Sequence, residues 1–301
     1  MYALPLVIAA FLLETLCKLL VGDPHRFGLN PKSRITKAHL TINGELIQRI
    51  AVGAVTPCSN IASVGEDTVE FEDGTVVEAD AIILCTGYKI AFPYLSSDLT
   101  QLLLNGDSGE HGDNEVGLYK HVFPVLKKFQ SAAFLGLIQP LGAIMPISEL
   151  QVRWVTRVFT GKSHLPSTEE MRDDVLRKQI EMKQRYVDRP RHTIQVDYIP
   201  YMDELAEQVG CKPSFFSMLL KDPRTAFSVL LSPQFPPMYR LVGPHASKES
   251  LRLIHELNSN VFTFVNPQQS KLESSQSSHF PWKIVVLLLL ATCFLCLHYW
   301  K

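Results

Sequence analysis

Residues 68–88 read TVEFEDGTVVEADAIILCTGY, and this stretch decides the fold class. Thr68 to Glu72 alternates apolar and polar side chains, Asp73-Gly74 supplies turn residues, and Thr75 to Ala79 returns. That pattern predicts a β-hairpin. Directly after it, Ala81 to Cys85 is a continuous apolar run closed by Thr86-Gly87-Tyr88. Such a run predicts a strand buried on both faces, as in a parallel sheet. The fold class read from it is α/β.

Further along, Ala132 to Ile138 (AAFLGLI) predicts a second buried strand, followed by Gln139-Pro140-Leu141-Gly142-Ala143. From Ile147 to Phe159 the period is helical, with Ile147, Leu150, Trp154 and Val158 on one face. A strand, a glycine-containing turn and a helix in this order leave backbone N–H groups at the helix start, where a ligand's oxygen atoms can meet them. Many α/β units share that order, so it does not define a site by itself. Ser167-Thr168-Glu169-Glu170 fits a capping box for a charged helix running to about Val187. Another helix starts near Pro200, shows Met202, Leu205, Ala206 and Val209 on one side, and stops at Gly210. Pro213 to Leu231 reads as two helical segments broken at Asp222-Pro223. The loop from Asn105 to Asn114 (NGDSGEHGDN) is expected to be exposed and mobile.

The two ends of the chain are apolar for different reasons. Met1 to Leu20 predicts a helix of a folded domain, with Glu14 and Lys18 spaced as an i,i+4 ion pair. It lacks the basic start and cleavage site of a signal peptide. Opening inside such a helix raises the expectation that further chain precedes it. Ile284 to Trp300 (IVVLLLLATCFLCLHYW) lies between Lys283 and Lys301. As a helix it would be roughly 26 Å long, close to the hydrocarbon thickness of a thin bilayer. Trp282, Tyr299 and Trp300 would sit at the interfaces. With the Ser/Gln-rich tether Gln268 to His279 before it, the segment is expected to be a tail anchor in membrane lipid.

Composition excludes several classes. The 301 residues are 46% hydrophobic and 20% charged, which supports a sizeable core rather than wholesale disorder. Lys+Arg 29 against Asp+Glu 30 gives a formal charge of −1, which argues against a nucleic-acid partner. Six scattered cysteines do not make a disulfide framework, and a reducing, cytosol-facing environment is expected. The histidines and cysteines show no paired metal-ligand spacing outside the apolar tail, so no metal site is predicted. No two of the glycines are separated by a single residue, so G-x-G-x-x-G, the usual dinucleotide pyrophosphate loop, is absent.

Four runs carry a resemblance. Gly22 to Pro31 (GDPHRFGLNP), Ala81 to Leu95 (AIILCTGYKIAFPYL), Gly136 to Trp154 (GLIQPLGAIMPISELQVRW) and Gln195 to Leu205 (QVDYIPYMDEL) resemble, in order, the vertebrate-type flavin-containing monooxygenases, and the terminal anchor is similar too. The resemblance covers nearly the whole chain. It implies FAD and NADPH as cofactors, O₂ as co-substrate, and a C4a-hydroperoxyflavin that passes one oxygen atom to soft nitrogen or sulfur nucleophiles. Its substrates would be small and lipophilic. A few family members instead insert oxygen beside a ketone carbonyl. The location implied is the endoplasmic reticulum membrane, C-terminally anchored with the main domain cytosolic, and self-association is a further expectation.

The implied architecture is the C-terminal half of a two-dinucleotide-binding-domain flavoprotein with a C-terminal membrane helix. Residues 1–65 would be a helical insertion of the NADPH domain, 66–90 its closing strands, 91–265 the second half of the FAD domain, 266–281 the tether and 282–301 the anchor. Carried over by position, Thr86, Gly87, Tyr88, Gln139, Leu141 and Gly142 are the candidate cofactor-binding residues. Cys85-Thr86-Gly87-Tyr88 matches the family's A-T-G-Y run with cysteine in place of alanine. Gly87 would either let backbone approach a cofactor or serve the turn alone. Gln139 would either bond flavin or nicotinamide or cap the following helix. Both family pyrophosphate loops are missing, and Pro140 stands where the family fingerprint would need histidine. No catalytic residue is assigned. A chain without either loop is expected not to hold FAD or NADPH tightly alone. The alternative reading is a membrane-tethered, non-enzymatic remnant that serves as a partner-binding scaffold.

Overall fold

The computed structural model describes residues 6–39, 43–105, 114–187, 192–231 and 235–256. Helix α1 (Leu6–Val21) forms as its apolar period requires and ends at Gly22, whose φ of 104° no β-carbon residue adopts readily. The expected Glu14–Lys18 pair does not form. Glu14 instead takes Arg34 at 2.6 Å and the Ile35 N–H at 3.0 Å, while Lys18 turns to Asp23 at 4.0 Å. The Ile35 N–H and the Arg34 guanidinium together hold the Glu14 carboxyl below its ordinary value. A partner across the chain with a backbone donor beside it outcompetes an exposed helix pair worth a few tenths of a kcal/mol, about 0.3–0.5.

After α2 (Leu46–Ala51) the chain enters a three-stranded antiparallel sheet of β1 (Ile61–Val64), β2 (Thr68–Phe71) and β3 (Val76–Glu78). The predicted hairpin is its β2–β3 arm, in register Thr68↔Glu78, Val69↔Val77 and Glu70↔Val76. Gly74, at φ 81°, makes the turn. Because β1 begins at Ile61, the strand-forming region starts before the expected residue 66.

The predicted buried strand at Ala81–Cys85 is overturned. The run has no regular secondary structure and pairs with no strand among the described residues, and Ile83 and Leu84 are 85% and 79% exposed. A parallel ladder needs partner strands on its flanks, and none of the described strands runs beside it. Likewise Ala132–Ile138 is loop, bent at Gly136 (φ 74°), and ladder pairing begins only at β6 (Gln139–Pro140). Among the described residues, parallel pairing is present in one place, between β6 and β7 (Gln195–Val196). The observed class is a mixed helix and sheet fold.

Two compact units divide at 209/210. In the first, α3 (Ser97–Asn105) packs Leu99, Leu102 and Leu103 against Phe92, Val116 and Leu118. The two-stranded hairpin of β4 (Leu118–Tyr119) and β5 (Phe123–Pro124) then brings Phe123 and Tyr119 edge-on to Trp154. Trp154 belongs to α4 (Ile144–Phe159), whose buried face is Ile147, Leu150, Gln151, Trp154 and Val155. The helix therefore starts three residues before the predicted Ile147. Helix α5 (Thr168–Arg185) has the predicted capping box at Ser167 and Glu170. Helix α6 (Tyr198–Val209) buries Tyr201, Met202, Leu205, Ala206 and Val209, and Gly210 ends it at φ 78°.

In the second unit, α7 (Phe215–Lys221) and α8 (Pro223–Leu231) break at Asp222-Pro223 as predicted. Asp222 caps α8 through the Thr225 N–H at 3.1 Å. Helix α9 (Lys248–His255) closes this unit, with Ile254 against Val229 and Met238. Among the described residues no helix is long and apolar enough to cross a membrane. The tether and the expected anchor, Ile284–Trp300, lie outside the described residues.

Candidate functional site

Thr86, Gly87 and Tyr88 lie in exposed chain without regular secondary structure, and Tyr88 is 96% exposed. Gly87 has φ 87°, and a β-carbon built on it would meet no atom within 4 Å. The backbone therefore requires glycine, and the space in front of that backbone is open.

What fixes this segment was not predicted. The Asn114 side chain accepts the Ile90 N–H at 2.7 Å and donates to the Tyr88 carbonyl at 3.4 Å. The Thr193 hydroxyl donates in turn to the Asn114 carbonyl at 2.5 Å. One residue later, the Ile194 carbonyl accepts the Gln139 N–H at 2.8 Å, and the β6–β7 register follows as Gln139↔Gln195 and Pro140↔Val196. A short hydrogen-bonded relay thus ties residues 88–90 to residues 139–140. The structure joins the two candidate segments in one framework. Asn114 was read as part of an exposed loop, whereas it is half-buried and doubly bonded. Its one sequence signal is that Asn tolerates left-handed backbone, here φ 66°.

At the other segment, Gly142 has φ 153°, and a β-carbon there would fall 2.7 Å from Cδ2 of Tyr198. Tyr198 opens α6 directly after β7, so its ring presses on the Leu141-Gly142 turn. Burial raises its phenol above the ordinary range. No side chain caps α4 at Ala143, so the expected capping role of Gln139 is not seen. With Pro146 lacking an N–H, the first turn presents the Ile144 and Met145 amides beside exposed Leu141.

Beneath these segments is a satisfied polar core. Gln151 accepts the Gly136 N–H at 2.8 Å and donates to the Tyr201 hydroxyl at 2.9 Å, which donates to the Lys120 carbonyl at 2.6 Å. The Lys120 ammonium pairs with Glu204, which also takes Lys178 at 2.6 Å. Burial alone would raise the Glu204 carboxyl, but the two lysines hold it below its ordinary value. The same burial depresses Lys178, while Glu204 raises Lys120 despite its burial.

The donor set fits part of a dinucleotide. Gly87 offers open backbone, and residues 139–145 offer a bent turn with two free-facing amide positions. These suit one wall of a planar ring system bearing carbonyl oxygens. They do not make a pyrophosphate cradle, for which the sequence holds no G-x-G-x-x-G.

The sequence profile of the FMO-like family, described as flavin-binding monooxygenase-like, matches residues 3–299. The chain belongs to that family. It is 45% identical over 223 residues to flavin-containing monooxygenase 5 of Mus musculus, covering 74% of this chain and 40% of that protein. It is 35% identical over 276 residues to flavin-containing monooxygenase 2 of Homo sapiens, covering 91% of this chain and 50% of that one. The chain thus spans half or less of the length of these relatives. A solved structure, S-allyl-L-cysteine S-oxygenase from Allium sativum, shares 28% identity over 66% of this chain and 43% of its own, at a TM-score of 0.41. That score is too low to carry an argument about the fold.

Proposed function

We propose that this FMO-like chain forms one wall of the cofactor site of an FAD- and NADPH-dependent monooxygenase that oxygenates small, lipophilic amines or thioethers. The observation that carries the reading is the relay through Asn114 and Thr193, which joins the two segments matching the family's cofactor-proximal motifs. The bound cofactors would supply the redox chemistry, with NADPH and O₂ consumed and one oxygen atom delivered to substrate as the other leaves in water. The chain's own residues position and enclose. Gly87 admits close backbone approach, and the Ile144 and Met145 amides face polar oxygens at the start of α4. Tyr198 and Asn114 hold the two segments in place, and the apolar side chains of Ile83, Leu84 and Leu141 exclude water once covered.

In this reading residues 266–281 and 282–301 tether the domain to the endoplasmic reticulum membrane, with the remainder cytosolic. Because the pyrophosphate cradle is missing, the 301-residue chain by itself binds FAD weakly. The test is to join the chain to the portion of mouse flavin-containing monooxygenase 5 that precedes the aligned region. Flavin content and NADPH-dependent oxygenation of a thioether are then measured beside the 301-residue chain. Co-purifying flavin and sulfoxide in the joined protein support the proposal. A folded joined protein with neither refutes it. The exposed run at Ile83 and Leu84 favours a second reading, a scaffold whose apolar edge is covered by a partner polypeptide. Flavin-free but stoichiometric capture of the mouse segment, supplied separately, would select that one.

A further inference from the structure

The second unit carries a cleft of its own, about 380 Å³, between α7, the start of α8 and the chain from Leu241 into α9. Met218, Leu241, Val242 and Leu251 give it an apolar wall. Lys221, in the last turn of α7, and Lys248, in the first turn of α9, border the same space. Both lysines are exposed, so a ligand reaches their side chains without any rearrangement.

Charge in this unit is unbalanced. Among its described residues the cations are Lys212, Lys221, Arg224, Arg240, Lys248 and Arg252, against the carboxylates of Asp222, Glu249 and Glu256 alone. Those carboxylates are engaged elsewhere. Glu249 and Glu256 both take Arg252. Asp222, which also lines the cleft, accepts the Thr225 N–H at 3.1 Å and the Thr225 hydroxyl at 2.5 Å. These bonds hold its carboxyl below its ordinary value. Among the described residues neither Lys221 nor Lys248 makes an ion pair.

An apolar wall beside two uncommitted ammonium groups suits an occupant with both characters. A neutral apolar molecule leaves the lysines unused, and a small inorganic anion leaves the wall wet. The volume stands near the lower end of small-ligand pockets, roughly 300–1,000 Å³, and suits one chain rather than a two-chain lipid.

We propose that this cleft binds a single-chain amphiphile with an anionic head, of the fatty-carboxylate kind. Its head pairs with Lys221 and Lys248, and its chain lies on the wall of Met218, Leu241 and Leu251. The Asp222 carboxylate, fixed by Thr225, repels a doubly charged head more than a singly charged one and so favours a carboxylate. The inference stands independently of the cofactor reading, because it uses neither candidate segment.

The test is equilibrium dialysis of the 301-residue chain in neutral-detergent micelles against matched protein-free micelles, so that uptake by detergent cancels. The probes are octanoate, hexanoate and octanol. The variants are Lys221→Gln, Lys248→Gln and Arg224→Gln, the last removing an exposed charge that does not line the cleft. The expected result is one octanoate per chain, bound about tenfold tighter than hexanoate because two more methylenes leave water. Octanoate should also bind about tenfold tighter than octanol, and each lysine variant should weaken it about threefold. Arg224→Gln should leave it nearly unchanged. Octanol bound as tightly as octanoate, equal losses in all three variants, or no uptake above the micelle control would overturn the proposal. Uptake that climbs past one per chain without saturating would also overturn it, as a general attraction of anionic amphiphiles to a basic surface.

Discussion

The hydroxyl of Thr193 lies 2.5 Å from the main-chain carbonyl of Asn114, 79 positions earlier in the chain. With the Asn114 side chain bonded to Ile90 and Tyr88, this contact makes Asn114 the joint between the Gly87 segment and the β6–β7 pair. Asn114→Ala loses the side-chain bonds and places a β-branchless but non-glycine residue at φ 66° without local polar support. A loss of about 2 kcal/mol is expected in chemical denaturation. Asn114→Gly relieves the backbone strain and should lose about 1 kcal/mol, with residues 81–95 becoming more open to limited proteolysis in both variants. Equal protection of that segment in all three proteins would separate Asn114 from it.

Gly142 and Tyr198 are predicted to couple. Gly142→Ala drives a methyl group into the Tyr198 ring at a backbone angle that disfavours any β-carbon. The single change should cost about 2–3 kcal/mol. In a Tyr198→Ala background the ring is gone and only the backbone term remains, so the same change should cost about 1 kcal/mol less. Additive losses across the double-mutant cycle would show that the ring does not brace the turn.

Glu204 serves two lysines at once. Glu204→Gln leaves the ammonium of Lys120, whose side chain is only 10% exposed, without its counter-charge. Destabilisation of about 3 kcal/mol is expected. The double change Lys120→Met with Glu204→Leu removes that pair while Lys178 keeps Asp174 at 3.6 Å, and should cost less than the single one, despite altering more atoms. Thermal melts of the two variants decide the order.

His121 makes stability fall on acidification. Its imidazole is held at about 4 in the folded protein against an ordinary value of 6.5, chiefly by burial. The unfolded chain therefore binds more protons than the folded one between those values. The contribution is complete above about pH 6.5 and is lost as pH falls towards 4, amounting to about 2–3 kcal/mol. His121→Gln should flatten that part of the stability profile. An unchanged slope in denaturation measured from pH 7 to pH 4.5 would place the acid sensitivity elsewhere.

The helical half of the structure was readable because its signals are local. The capping box at Ser167, the stop at Gly210 and the break at Asp222-Pro223 each act within one turn, so no distant partner can override them. The β2–β3 hairpin was readable for the same reason. The runs at 81–85 and 132–138 were misread because hydrophobicity records what a segment can bury, whereas strand formation depends on which neighbours pair with it. Of the site, residues 86–88 and 139–142 rest on resemblance alone. The residues that join them were not legible. Asn114, Thr193 and Tyr198 act through contacts across many positions, and no short-range pattern marks a side chain that bonds so far along the chain.

The central claim is that the backbone at Gly87 faces a bound flavin dinucleotide. The most direct measurement is FAD occupancy, by absorbance after gel filtration, of the protein joined to the mouse segment, with and without Gly87→Val. The space at Gly87 leaves room for a β-carbon, so backbone strain of about 1–2 kcal/mol is the main cost expected in the melt. The account predicts flavin in the parent protein and at least a tenfold weaker hold in a Gly87→Val variant that remains folded. Full and equal flavin occupancy in both proteins would contradict it.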